Sequence, residues 1–307
     1  MQRKVALAEL PGPGGRPAPR ALLTVANGMW VQSGYPITAA FHDLLATGFH
    51  AEAAPADFQK DPAEACRRIN AWMKTNTDGR VTSILDDIPP ATRLVLANAV
   101  AMKAAWQMPF RPESTVTAAF YPQGSPAVQT ATMRRQGPFG YAHIDDLKLL
   151  EMRYRGGRLS MVILLPDRKD GLSDLEGSLT AQRLTTALAK LEWAEVDVSL
   201  PRFSVESAAS LNAALEALGM QTAFSQNADL SGIDGSQRLA IGLIAHRAMV
   251  KVDEQGTEAA AGTAAVMAMK AGPSATPEVF QADHPFLFLV RDIQTGAIWF
   301  MGRCMKP

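Results

Sequence analysis

The sequence predicts an α+β fold of mostly antiparallel β-sheets with several helices. Three observations lead there. Helical and strand-like periodicities alternate along the chain without the strand–helix–strand repeat of a parallel sheet. Residues Pro285–Met305 carry two apolar runs around the turn Gln294–Gly296, the pattern of a hairpin of buried strands. Of the 307 residues, 47% are apolar and 20% charged, which is enough to fill a sizeable core and too apolar for a disordered chain.

The elements follow in order. Residues 1–20 read as an irregular lead-in, because the proline and glycine of Pro11–Pro19 admit no regular element. Residues 21–307 then read as a single domain. Ala21–Gln32 has the apolar character of a buried strand, and Ile37–Phe49 has helical spacing with Phe41, Leu44 and Leu45 on one face. Asp61–Leu85 is the clearest helix. Asp61 is its N-cap, Pro62 its first residue and Glu64 the third position after the cap, Ile69, Trp72 and Met73 form the apolar stripe, and Asn76 through Gly79 would end it. Thr92–Trp106 fits a long strand or a helix on pattern alone. Tyr154–Pro166 reads as a turn at Gly156–Gly157 followed by a strand, Leu179–Leu191 as a helix and Ala194–Val205 as an alternating strand. Ser210–Met220 is a short amphipathic helix stopped by Gly219, and Ala245–Gly256 alternates again.

Composition excludes several functions. Lys plus Arg equals Asp plus Glu at 30 each, so no electrostatic footprint points to nucleic acid or an anionic membrane. No apolar run approaches the roughly 18 residues needed to span a bilayer. Arg3 and Lys4 are followed by Glu9 and the proline-rich stretch rather than by a signal peptide's apolar segment. Cys66 and Cys304 are expected to be free and mostly buried. There is no G-x-S-x-G, H-E-x-x-H, P-loop, C-x-x-C or G-x-G-x-x-G sequence, and His42, His50, His143, His246 and His284 lack metal-ligand spacing. Neither an enzyme, a metal nor a cofactor is expected.

What remains unexplained is Asp253–Glu278, a long run of small, nearly uncharged residues. It lacks the larger apolar residues of a core helix and the Gly, Ser and Pro content of a flexible linker. Its order Val252–Ala264, VDEQGTEAAAGTA, resembles the reactive-loop hinge of the serpins. RLSMVILLP, VSLPRF, LNAALEALGM, ADLSGID, LANAVAMKAAWQMPF, DHPFLFLVRD and FMGR also resemble serpin segments, in the family's order, so the resemblance runs from about Leu22 to Pro307. It implies three mostly antiparallel β-sheets with several helices and an exposed reactive loop over about 254–278. It also implies a suicide-substrate inhibitor of serine proteases: the protease cuts the loop, the cut loop enters the main sheet as a new strand, and the trapped acyl-enzyme is distorted before it can deacylate.

The loop residues suit that process. Glu254 to Gly272 contains no proline, so every residue can donate its N–H to a ladder. If Thr257 faces inward, so do Ala259, Ala261, Thr263, Ala265, Met267 and Met269, while Glu258 and Ala260 face outward. Gly256 lets the backbone swing. An inserted strand of about a dozen residues gains on the order of 10 kcal/mol from ladder hydrogen bonds alone.

In the family the cut lies about sixteen residues past the hinge glutamate, which from Glu254 reaches Lys270–Ala271. A lysine there suits the carboxylate-lined pocket of a trypsin-like protease. The bond Met269–Lys270 is the alternative and would suit a chymotrypsin-like one. The resemblance also implies that Asn98 and His246 hydrogen-bond beneath the sheet where strands part, and that Trp106 lies near the sheet's top, where the loop first enters.

The family's first helices, and the strand and helix packed behind the main sheet, have no counterpart here, so the chain reads as N-terminally truncated. A second reading therefore stands beside the first: a non-inhibitory serpin-like protein, cleaved as a substrate or acting as a binding scaffold. The expected partner is a serine protease, and the expected state is a monomer. The resemblance implies extracellular placement, while the lack of a signal peptide leaves a cytoplasmic one open.

Overall fold

A computed structural model of the chain describes residues 2–7, 21–49, 51–79, 81–236, 239–257 and 276–307. In chain order its first strands are β1 (Gln2–Leu7), β2 (Ala21–Gln32), β3 (Glu52–Ala56), β4 (Leu94–Ala105), β5 (Val116–Phe120), β6 (Val128–Ile144) and β7 (Leu147–Arg153). There follow β8 (Leu159–Pro166), β9 (Glu192–Pro201), β10 (Phe203–Ser210), β11 (Leu243–Asp253), β12 (Gly256–Thr257), β13 (Glu278–Gln281), β14 (Phe286–Asp292) and β15 (Ile298–Cys304). The α-helices are α1 (Ala39–Leu44), α2 (Pro62–Asn76), α3 (Leu172–Ser178), α4 (Ala181–Leu188), α5 (Asn212–Ala217) and α6 (Ser231–Asp234).

The strands form two sheets among the described residues. The first is ordered β1-β2-β4-β12-β11-β10 with β3 beside β2, and the second β13-β9-β6-β7-β8-β14-β15 with β5 beside β6. Three sheets were expected. The second sheet accounts for two of them, because the 17-residue strand β6 pairs along its length with β5, β9 and β7 and leaves no break between the parts. Most pairings are antiparallel; β2–β3, β4–β11 and β9–β13 are parallel. The strand Gln2–Leu7 falls within the stretch expected to be irregular.

Contacts divide the chain into two compact units. The first rests mainly on Leu22–Met102 and Glu206–Met249. Its clearest local structure is α2. The Asp61 carboxylate accepts the Glu64 N–H at 2.9 Å and Pro62 opens the helix, as the sequence predicts. Ile69 and Met73 are fully buried, and Trp72 meets Trp30 edge to face at 5.1 Å. The helix ends at Asn76, where Asn76 through Gly79 is expected to stop it. Asn70 accepts the amides of Ile84 and Leu85 at 2.8 and 3.0 Å and so draws the following chain back against the helix. The helical stretch Ile37–Phe49 also divides: α1 ends at Leu44 and widens into a π-turn over Leu45–Phe49, where the Thr47 hydroxyl bonds the Asp43 carbonyl.

The second unit rests mainly on Lys103–Val205 and Val250–Pro307. At its centre β8 is buried at every residue, which explains why Leu159–Pro166 is a continuous apolar run rather than an alternating one. Leu149, Leu164 and Leu289 form a core with Leu172 and Leu175 of α3 and Leu184 of α4. The hairpin β14–β15 turns at Gly296, whose φ of 73° suits glycine. No helix among the described residues is long and apolar enough to cross a membrane.

These local features give a stability prediction. Asp61→Ala removes the α2 cap and should cost about 1 kcal/mol. Ile69→Ala opens a cavity beneath the helix and should cost about 2–5 kcal/mol. Urea unfolding checks both; equal, near-zero effects would contradict the packing described.

Candidate functional site

Strand β11 ends in a tight turn. The Asp253 carboxylate accepts the amides of Gln255 and Gly256 at 2.8 and 3.3 Å, reversing the chain at Glu254–Gln255. The two residues that follow, Gly256 and Thr257, form β12. They pair antiparallel with Asp253 and Val252 of β11 on one side, and with Ala105 and Ala104 of β4 on the other. Gly256 has a φ of 152°, and a Cβ there would collide with the Ala104 carbonyl. The glycine is therefore required by close backbone approach, not only by freedom to swing. Thr257 is fully buried, as an inward-facing position should be, and its hydroxyl meets the Tyr154 hydroxyl at 2.7 Å. Burial pushes the Tyr154 phenol up, so the pair is neutral.

The turn is held from several directions. The Trp106 backbone N–H donates to Gln255 O at 2.8 Å, and its indole Nε1 donates to Asp253 O at 3.0 Å. The indole also stacks on Tyr154 at 4.5 Å. The Phe110 N–H donates to Glu254 O at 2.9 Å. The Glu254 side chain, 7% exposed, accepts from Arg202 Nε at 2.9 and 3.0 Å and from the Thr115 hydroxyl. Burial opposes the Glu254 charge, but the hydrogen bonds from Arg202 and Thr115 outweigh it and hold the carboxyl below its ordinary range.

In the first unit β4 and β11 pair directly and in parallel, from Val95↔Leu243 to Ala101↔Met249. Asn98 and His246 are register partners in that ladder. The His246 Nδ1–H donates to Asn98 Oδ1 at 2.8 Å, and Asn98 Nδ2 donates to Asn27 Oδ1 at 2.7 Å. Burial pushes the His246 imidazole down, which favours the neutral ring. Asn27 and Asn98 line a cavity of about 420 Å³ whose other walls are apolar, Met29, Leu96 and Ile244 among them.

The sequence-predicted residues thus fall into two groups, one in each unit. Glu254, Gly256, Thr257 and Trp106 meet at the turn, and Asn98 meets His246 across the β4–β11 ladder. Glu258, Ala259, Ala260, Ala261, Met269, Lys270 and Ala271 lie outside the described residues. Sequence reasoning missed Arg202, Thr115, Tyr154 and Asn27. Arg202 and Thr115 are 52 and 139 residues from Glu254, so no local spacing signals them. Cys66 and Cys304 are free and buried, as expected, and burial pushes the Cys304 thiol up to about 12. Among the described residues no group of three or more His, Cys, Asp or Glu could hold a metal ion.

Glu254→Gln should cost about 1–3 kcal/mol at pH 7, toward the lower end because Arg202 is half exposed. A lowered carboxyl value stabilises the fold above the unfolded value, and that contribution is lost as pH falls through the folded one. Wild-type stability should therefore drop more steeply than that of Glu254→Gln on acidification, as denaturant titrations at successive pH values will record. Parallel pH profiles would contradict the ion pair.

A family model described as serpin (serine protease inhibitor) matches residues 5–307. An uncharacterized serpin-like protein of Thermococcus kodakarensis is 40% identical over 304 residues, 98% of this chain and 70% of that protein. The leukocyte elastase inhibitor of Homo sapiens is 38% identical over 301 residues, 93% of this chain and 78% of its own length. Among solved structures, uncleaved ovalbumin superposes with a TM-score of 0.83 at 30% identity, covering 95% of this chain and 76% of that one. The chain thus spans 70–78% of the length of these relatives, and it belongs to the serpin family.

Proposed function

We propose that the chain is a suicide-substrate inhibitor of serine proteases with trypsin-like specificity, cut at Lys270–Ala271. One observation carries the reading: Gly256–Thr257, within the hinge, are already hydrogen-bonded on both sides, to β4 and to β11. The hinge is antiparallel to both strands, whereas β4 and β11 are parallel to each other. A strand that continued from Thr257 would replace one parallel ladder by two antiparallel ones, which are slightly more stable per residue.

In this mechanism the protease serine attacks the Lys270 carbonyl and forms an ester, while the Ala271 amine leaves with a proton from the protease histidine. The freed segment extends β12 with Glu258 and Ala260 outward and Ala259 and Ala261 inward. Asn98 and His246 lie on the seam that must part, where their hydrogen bond closes the gap in the uncut chain. Trp106 and Glu254 fix the turn about which the segment folds. Extracellular action as a monomer belongs to the same reading, as does a single serpin-like domain over residues 21–307.

Incubation with trypsin followed by denaturing electrophoresis and mass spectrometry tests this. The expected outcome is a denaturant-stable complex with release of Ala271–Pro307, and Lys270→Ala should abolish both. Complete cleavage without a complex would replace this reading with that of a serpin-like substrate or scaffold.

A further inference from the structure

The far side of the reactive loop returns to the body at β13, a four-residue strand paired in parallel with β9 and buried only at Phe280. Four pairs on one side of a mostly exposed strand are a weak hold. The residues immediately after it are held far more firmly. The Ala282 N–H donates to Ser199 O at 2.9 Å, and Asp283 O accepts the Tyr121 N–H at 2.7 Å. His284 is 5% exposed, and both of its ring nitrogens are engaged: Nδ1 lies 2.7 Å from Asp283 Oδ1, and Nε2 lies 2.7 Å from Pro166 O.

A carboxylate and a backbone carbonyl can only accept. Both bonds are complete only when the imidazole carries two protons. The surroundings suit that form. Burial opposes the Asp283 charge, but the His284 hydrogen bond and the Lys169 charge outweigh it and hold the carboxyl ionised. Lys169 Nζ lies 3.6 Å from Asp283 Oδ2 and rests on the Tyr121 ring. Asp167, next to Pro166, is paired with His143 at 2.8 Å and with Lys148 at 4.0 Å.

We propose that His284 is the positioning residue for the C-terminal foot of the reactive loop: a twice-donating ring that ties the β13–β14 junction to the Pro166 carbonyl and the Asp283 carboxylate. The clamp follows from these contacts alone; its bearing on inhibition rests on the function proposed above. A foot that stays fixed while the hinge moves ensures that cleavage frees one side of the loop and not the other.

Hydrogen exchange of the Val279–Gln281 amides, measured against the Leu287–Leu289 amides of β14 in the same sample, tests the clamp. His284→Gln presents at most one donor group to the two acceptors and should speed exchange in β13 at least tenfold relative to β14. In the wild type the same ratio should rise once pH is raised far enough to take a proton from the ring, because one of the two acceptors then loses its donor. Asp283→Asn can turn its amide N–H toward Nδ1, so a neutral ring satisfies both contacts and the ratio should stay flat. The wild-type and Asp283→Asn measurements hold even if His284→Gln does not fold. A wild-type ratio that stays flat with pH, or a His284→Gln loss spread equally over β13 and β14, overturns the proposal. With trypsin, His284→Gln should shift the products from complex toward cleaved chain. If the wild type forms no complex, the inhibitory reading fails while the exchange ratios still decide the clamp.

Discussion

Two strands that lie side by side in parallel, with a third already started between their ends, are the constraint on which this fold turns. In β4 and β11 the parallel ladder from Val95↔Leu243 to Ala101↔Met249 is one arrangement of hydrogen bonds. The pairing of Gly256 and Thr257 to Ala105, Ala104, Asp253 and Val252 is the beginning of another. Neither is strained on its own. In the proposed function the second grows at the expense of the first.

The groups around the turn are polar and mostly buried, and each is satisfied. Glu254 is matched by Arg202 and Thr115, the turn carbonyls by Trp106 and Phe110, and Thr257 by Tyr154. Leaving any one of them unpaired would cost more than the pair contributes. That asymmetry keeps the turn at one place. Asn98 and His246 are matched in the same way within the ladder, and burial there favours the neutral ring.

Much of this was legible in the sequence, for reasons that differ by residue. The Asp61 cap was readable because its partner is three residues away and the chemistry is local. The segment around Gly256 was readable as a family pattern, and the inward face assumed for Thr257 matches its burial. Thr92–Trp106 stayed ambiguous between strand and helix; as β4 its burial does alternate from Val95 to Ala101, but both faces carry mostly apolar residues, so the sequence does not show it. The need for glycine at 256 was readable, but its stronger cause, the Ala104 carbonyl, belongs to another strand. Arg202, Thr115 and Asn27 were out of reach because their partners lie 52, 139 and 71 residues away. That two of the expected sheets join through β6 among the described residues was not readable, because such continuity is a matter of register, not of pattern.

The most direct measurement compares the thermal unfolding of the intact chain with that of the chain nicked once in the reactive loop. If the freed segment becomes a central strand worth on the order of 10 kcal/mol, the nicked chain should melt roughly 15 °C higher. Superimposable curves, with the nicked segment still open to further digestion, would contradict the account.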